Sequence, residues 1–143
     1  MRQRRKRGRV KNEARRDTNV LVRAVVRDDA KQARTAAKLL RDAEIIAVSL
    51  PCLCEFVWVL HRVYNFGRED VSAAIGALLD AGNVAMNRPA VDAGLAVLNA
   101  GGDFADGVTA YEGSWLGSEI FVSFDKKAVS VIAKQGRQAK LLV

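Results

Sequence analysis

The residues of this chain whose positions indicate chemistry are carboxylates. Four of them are placed at or just beyond the expected strand ends: Asp17 would follow a first strand, Glu55 lies one turn into the helix after a strand, Asp106 lies in the first turn of its helix, and Asp125 directly follows a strand. In open α/β sheets, ligands collect at the carboxyl ends of the strands. Carboxylates that converge there without Lys or Arg between them repel one another, and a divalent cation relieves that repulsion. Oxygen ligands with no His or Cys favour Mg²⁺ or Mn²⁺ over zinc, so the pattern predicts a magnesium or manganese site.

Each of these acids also has a simpler interpretation. Asp17, Asp103 and Asp125 could each be the N-cap of a helix, which is the commoner role for Asp at such a position. Asp103 comes three residues before Asp106, so the two could share a helix face. Glu55 lies in the apolar stretch LCEFVWVL, where a buried and unpaired Glu would be rare. The placement of all of them near strand ends favours a shared metal site over separate caps.

The elements that must position these acids alternate along the chain. Strands are predicted over residues 44–50, 83–86, 120–124 and 139–143. Helices are predicted over residues 28–43, 51–64, 68–82, 88–102, 103–116 and 125–136. Gly107 and Gly113 should weaken the fifth of these helices by roughly 1 kcal/mol each relative to Ala. Short apolar strands alternating with helices predict an α/β fold in which helices wrap a mainly parallel sheet.

The charge of the chain is concentrated at one end. The formal net charge is +7, but residues 1–16 hold nine of the 23 basic residues and one of the 16 acidic ones. The rest of the chain is therefore close to neutral. Such a basic arm repels itself, is expected to be disordered, and would attract phosphate backbones without reading sequence. An over-extended start of the chain is the alternative interpretation of the arm.

Composition narrows the class of protein further. Half of the residues are hydrophobic and 27% are charged, which is typical of a globular domain. No apolar stretch approaches the ~20 residues of a membrane-spanning helix, and no secretory leader is recognisable. Cys52 and Cys54 are the only cysteines, so neither a disulfide framework nor a zinc site is supported. A reducing, cytoplasmic location without membrane contact is expected.

Four stretches in order, DTNVLVR, LPCLCEFVWVLHRVY, GGDFADGVTAY and FVSFDKKA, resemble the PIN-domain ribonucleases. The resemblance is greatest to the VapC-type toxins of bacterial toxin–antitoxin modules, and it runs from about residue 17 to residue 142. It implies a three-layer α/β/α sandwich with a mainly parallel central sheet. Residues 17–143 would then form the nuclease domain and residues 1–16 the arm.

The resemblance also implies roles for individual residues. Metal-ligand and catalytic roles fall on Asp17, Glu55, Asp106 and Asp125. Accessory roles fall on Asn19, Asp103 and Ser123, of which Asn19 and Ser123 would orient carboxylates or water. The activity implied is that of a Mg²⁺- or Mn²⁺-dependent endoribonuclease toxin of a type II system, which hydrolyses phosphodiester bonds in single-stranded RNA. The partners implied are a cognate antitoxin and a second copy of the chain.

Other interpretations stay open. Relatives have an apolar strand just before the first Asp, whereas residues 12–16 here are mostly polar and charged, so the chain could be a catalytically weakened PIN module that mainly binds antitoxin or nucleic acid. A nucleic-acid-binding protein driven by the arm, and a nuclease for DNA or structured RNA, are further alternatives. Trp58 is expected to pack in the core or in a dimer contact, and His61 to be structural.

Overall fold

The structure is a computed structural model that describes residue 18 and residues 20–143. The predicted arm and two predicted site residues, Asp17 and Asn19, lie outside the described residues. Residues 20–26 are helical. The helices that follow are α1 (Ala30–Asp42), α2 (Leu50–Arg62), α3 (Arg68–Asp80), α4 (Arg88–Asn99), α5 (Phe104–Trp115) and α6 (Lys126–Lys134). The strands are β1 (Ile46–Ala47), β2 (Val84–Ala85), β3 (Ile120–Ser123) and β4 (Gln138–Leu141).

Most of these helices begin at a side chain that accepts a hydrogen bond from the first turn. Asp29 caps α1, Ser49 caps α2 and Asn87 caps α4, each by accepting from the amide three residues further on. A prolyl residue also stands in the first turn of α2 and of α4, where its missing N–H costs nothing. The helix starts are therefore set locally by the sequence.

The described chain forms two compact units. The first unit comprises the described residues up to Gly67 together with Ala74–Met86, and the second comprises Arg68–Ala73 and Asn87–Val143. In the first unit, β1 and β2 pair in parallel, with Ile46 opposite Val84. The amide of Asn83 donates to the carbonyls of Leu40 and Ala43, which ties the end of α1 to the residue before β2. The fully buried side chains of this unit include Phe56 and Leu60 of α2.

In the second unit, β3 and β4 pair in parallel along their whole length, from Ile120 opposite Gln138 to Ser123 opposite Leu141. Helix α6 connects the two strands. A core cluster unites α4, α5 and α6, and Phe121 of β3 and Ala139 of β4 pack against it. The buried members of this cluster are Val97, Ala110, Val131 and Ile132. The sheet of this unit is thereby fixed to the helices that carry the acids.

The predicted α/β class is confirmed, because the described residues form parallel strand pairs connected and flanked by helices. This arrangement is compatible with the predicted α/β/α sandwich. The strands are shorter than predicted, and the first is reduced to Ile46–Ala47 because Ser49 already serves as the cap of α2. Among the described residues, no helix combines the length and the apolar character needed to cross a bilayer.

Gly107 has a structural role that helix propensity alone does not predict. A Cβ at this position would lie 2.5 Å from the carbonyl oxygen of Ala93 and 2.8 Å from the Cα of Gly94. Helices α4 and α5 therefore approach so closely that only hydrogen fits. Around Gly113, by contrast, the nearest atom to such a Cβ is 3.8 Å away, so this glycine has no packing role of that kind.

Candidate active site

Asp106 is the centre of the candidate site. It lies in the first turn of α5 and is half-buried. Burial raises the pKa of its carboxyl group, and the negative charges of Asp103 and Asp125 raise the pKa further. All three influences act in the same direction. The structure therefore brings together three of the predicted acids, Asp103, Asp106 and Asp125, which we call the acid cluster.

Asp103 is held at the start of α5. Its Oδ1 accepts a hydrogen bond of 3.1 Å from the amide of Ala105, so the N-cap interpretation is correct for this residue. Its main-chain carbonyl also accepts the amides of Asp106 and Gly107. The carboxyl group is exposed and the cap occupies one of its two oxygens. The accessory role of Asp103 beside Asp106 stays a prediction.

Asp125 directly follows β3 and caps α6. Its Oδ1 accepts from the amides of Lys127 at 2.9 Å and Ala128 at 3.3 Å. The hydroxyl of Ser123 accepts the amide of Asp125 at 3.0 Å, and the carbonyl of Ser123 accepts the amide of Leu142. Ser123 thus links the strand end to the acid and to the end of β4. It contacts the backbone of Asp125, which fixes where that carboxylate stands.

The packing of α4 on α5 determines where Asp106 stands. Gly107, the next residue, lies against Gly94 and Ala93 of α4. Phe104, one residue after Asp103, is fully buried, and its ring would be 2.6 Å from a Cβ at Gly94. Close helix packing therefore holds Phe104, the neighbour of Asp103, and Gly107, the neighbour of Asp106, in place. Nothing in the residue pattern of a single helix reveals this contact.

Glu55 is exposed, whereas its apolar neighbours in the sequence had suggested that it is buried. It lies on α2, in the first unit, and its side chain is exposed. Burial of Glu55 was therefore a wrong expectation. Helix α2 buries Leu53, Phe56 and Val57 and turns Glu55 outward. Trp58 of the same helix is 58% exposed, so core packing is also wrong for that residue.

Thr18 is a structural residue that the sequence did not single out. It is 3% exposed, and its Oγ1 lies 3.1 Å from the Sγ of Cys52 on α2, the helix that also carries Glu55. Thr18 follows Asp17 in the chain and is the one buried polar residue among those described. A small hydroxyl beside an apolar run was the only signal that could have pointed to it.

The donor chemistry of the acid cluster fits a hard divalent cation. The carboxylates of Asp103 and Asp125 both raise the pKa of Asp106, and a cation bound beside Asp106 would reverse that effect. Within the part of the chain that the structure describes, no group of three His, Cys, Asp or Glu side chains is already arranged around a common metal position. The oxygens available are those of Asp106 and the ones not used as caps in Asp103 and Asp125.

His61 makes a local hydrogen bond that fits the predicted structural role. Its Nδ1 lies 2.9 Å from the carbonyl oxygen of Phe66, so this nitrogen carries a proton and donates to that carbonyl. The ring is half-buried at the end of α2. This contact closes the turn after the helix, as a structural role requires.

Comparison with known proteins identifies the family. The family model of the PIN domain matches residues 16–131, which is well over half of the chain. No curated protein and no solved structure matches it. The PIN domain is an α/β, nuclease-type fold that generally depends on divalent metal ions, and the parallel strands and carboxylates described above agree with it. The chain belongs to the PIN-domain family.

Proposed function

We propose that the protein is a Mg²⁺- or Mn²⁺-dependent endoribonuclease that hydrolyses phosphodiester bonds in single-stranded RNA, as the toxin of a type II toxin–antitoxin system of the VapC type. The observation that carries this proposal is the acid cluster in a PIN-family chain. Its carboxylates raise the pKa of Asp106 and would be stabilised by a divalent cation. Residues 17–143 would form the nuclease domain.

Each predicted site residue has a proposed role in this reaction. Asp106 and Asp125, with Asp17 and Glu55, would hold the metal, while Asp103 would add negative charge beside Asp106. Ser123 positions Asp125 through its backbone amide, and Asn19 would orient a carboxylate or water. A bound divalent cation supplies an acidified water and stabilises charge on the leaving oxygen. This mechanism requires no His or Lys base, and the Nδ1 of His61 serves a local hydrogen bond to the carbonyl of Phe66.

The partners belong to the same proposal. A cognate antitoxin would hold the toxin inactive, and two copies of the chain would form a homodimer in the cytoplasm. The exposed indole of Trp58 is available for such a contact. We further propose that the basic arm, residues 1–16, adds affinity for phosphate backbones without sequence preference.

A second candidate is a weakened PIN module that mainly binds antitoxin or nucleic acid. Two observations favour it: residues 12–16 are mostly polar and charged, and the described carboxylates do not by themselves surround a common metal position. The two candidates differ in one respect that can be measured, which is metal-dependent cleavage.

The test is incubation of the full chain with a mixed pool of single-stranded RNA in Mg²⁺, in Mn²⁺ and in EDTA, beside two variants. Asp106→Asn removes the central carboxylate, and Asp92→Asn removes an exposed carboxylate from α4 of the same unit. Cleavage that requires metal, persists in Asp92→Asn and disappears in Asp106→Asn supports the nuclease. Absence of cleavage by folded wild-type protein in both metals supports the weakened module.

A further inference from the structure

Helix α1 carries a one-sided row of positive charge. Lys31, Arg34, Lys38 and Arg41 follow one another at intervals of three, four and three residues, and all four are exposed. This spacing places them on one face of the helix over about 15 Å. We call these four residues the basic stripe. The opposite face of α1 buries Ala33 and Ala36, so the helix turns the stripe toward solvent.

The stripe is little neutralised by neighbouring acids. Within the described part of the chain, its only ion pair joins Arg41 to Asp42 at 3.4 Å. Arg23, nearby in sequence, is engaged by Asp28 at 2.8 Å, which raises the pKa of Arg23 and lowers that of Asp28. Four like charges along one helix face repel one another, and a polyanion lying along them would remove that repulsion.

A groove of about 620 Å³ runs beside the stripe in the same unit. The residues that line it are Val20, Arg23, Asp29, Lys31, Gln32, Thr35, Ala36 and Leu39. The one carboxylate among them, Asp29, accepts a hydrogen bond from the amide of Gln32 as the cap of α1. Leu39 is 55% exposed there. The groove thus offers an amide, a hydroxyl and an apolar surface directly beside a row of cations. Those are the groups that unstacked bases contact when the backbone is held by charge.

We propose that α1 is a docking surface for single-stranded RNA, with phosphates along the basic stripe and bases turned into the adjacent groove. A duplex would present its phosphates but keep its bases stacked, so the groove would stay empty. The surface deepens the proposed function by giving its substrate a binding site. Its test needs no cleavage and is independent of the metal.

The experiment measures binding of a short fluorescein-labelled oligouridine to the full chain in EDTA by fluorescence anisotropy, over a range of salt. The double variant Arg34→Gln/Lys38→Gln is compared with Lys134→Gln/Lys140→Gln, which removes the same charge from exposed lysines of the second unit. Each lost phosphate contact lowers the salt slope by about 0.7 for a single strand. The stripe variant, which loses two such contacts, should therefore bind about 25-fold more weakly than wild type at 0.1 M salt if the two bind equally at 1 M salt.

A second variant tests the groove. Leu39→Ser should weaken binding of the single strand about fivefold without changing the salt slope, because it removes apolar contact and no charge. Binding of a duplex of the same length should not change. Unaltered thermal unfolding confirms that each variant is folded, as expected for exposed positions.

Equal losses in the two double variants would overturn the proposal, since net charge alone would then explain binding. A preference for duplex, or wild-type affinity in the stripe variant, would overturn it as well. If the protein cleaves no RNA but the stripe variant still loses affinity, the proposed catalytic function fails and the docking surface stands. If the protein cleaves RNA normally and the stripe variant binds as wild type does, the docking surface fails and the proposed catalytic function stands.

Discussion

The acid cluster and the basic stripe are two groups of like charges that the fold treats differently. The stripe lies on the outer face of α1, where water screens four cations. The acid cluster lies at helix starts, where Asp106 is half-buried and its pKa is raised by burial and by two neighbouring carboxylates. Like charges in water are inexpensive, whereas like charges beside a buried group are not. A bound cation would therefore stabilise the ionised acid cluster, which is our proposal for it, and the stripe can accept a polyanion but does not need one.

The largest expected difference between the two regions is in catalysis. Asp106→Asn should lower kcat about a thousandfold, because a metal ligand supports several kcal/mol of charge stabilisation and each 1.36 kcal/mol is tenfold in rate. Arg34→Gln/Lys38→Gln should instead raise KM and leave kcat near the wild-type value. Steady-state cleavage kinetics at low salt measure both constants. A fall in kcat for the stripe variant would contradict the assignment of catalysis to the acid cluster and of binding to the stripe.

The next effect concerns the packing that supports the acid cluster. Gly107→Ala places a methyl group against Ala93 and Gly94 of α4, so it should reduce the free energy of unfolding by about 1–3 kcal/mol. Cleavage should fall too, since Asp106 is the adjacent residue. Urea unfolding measures the stability. Wild-type stability would mean that α4 and α5 are not in close contact.

The same helix offers a change of opposite sign. Gly113 has room for a Cβ, whose nearest neighbour would be the Cβ of Ser118 at 3.8 Å, and its replacement removes a poor helix former from α5. Gly113→Ala should therefore raise the free energy of unfolding by up to about 1 kcal/mol and leave cleavage unchanged. Thermal unfolding of this variant and of Gly107→Ala, measured together, separates packing from propensity. Destabilisation by both substitutions would contradict the difference in space around the two glycines.

The smallest expected effect is a pH dependence in EDTA. The pKa of Asp106 in the folded chain is raised above the ordinary value of 3.8, so the folded state holds this proton more tightly than the unfolded state. The contribution of Asp106 to stability is greatest below that ordinary value and is lost as the pH rises through the folded pKa. Asp106→Asn should therefore gain stability relative to wild type as the pH rises. A difference that does not vary with pH would mean that the carboxyl group is not perturbed.

Much of the fold could be predicted from the sequence because it is determined locally. The periodicity of the helices and the possible caps Asp103 and Asp125 placed most elements within a few residues of where they lie. The predicted grouping of Asp103 with Asp106, and the position of Asp125 after β3, also depend on local order along the chain. The structure adds that the charges of Asp103 and Asp125 reach Asp106.

What could not be predicted depends on pairs of elements that are distant in sequence. Gly107 is a weak helix former in isolation, and only the approach of α4 explains its presence. Glu55 was expected to be buried from its neighbours in the chain, whereas the rotation of α2 decides that it faces outward. The contact of Thr18 with Cys52 spans 34 positions. Roles for Asp17 and Asn19 remain predictions of the sequence.

The central claim is that the acid cluster binds a divalent cation, and paramagnetic broadening by Mn²⁺ tests it most directly. In two-dimensional NMR spectra of the amides, substoichiometric Mn²⁺ should first broaden the signals of residues 103–107 and 123–126, while those of the basic stripe stay sharp. In Asp106→Asn the same Mn²⁺ concentration should leave the spectrum largely unchanged. Signals of residues 103–107 that stay sharp while others broaden, or equal broadening in the variant, would contradict the account.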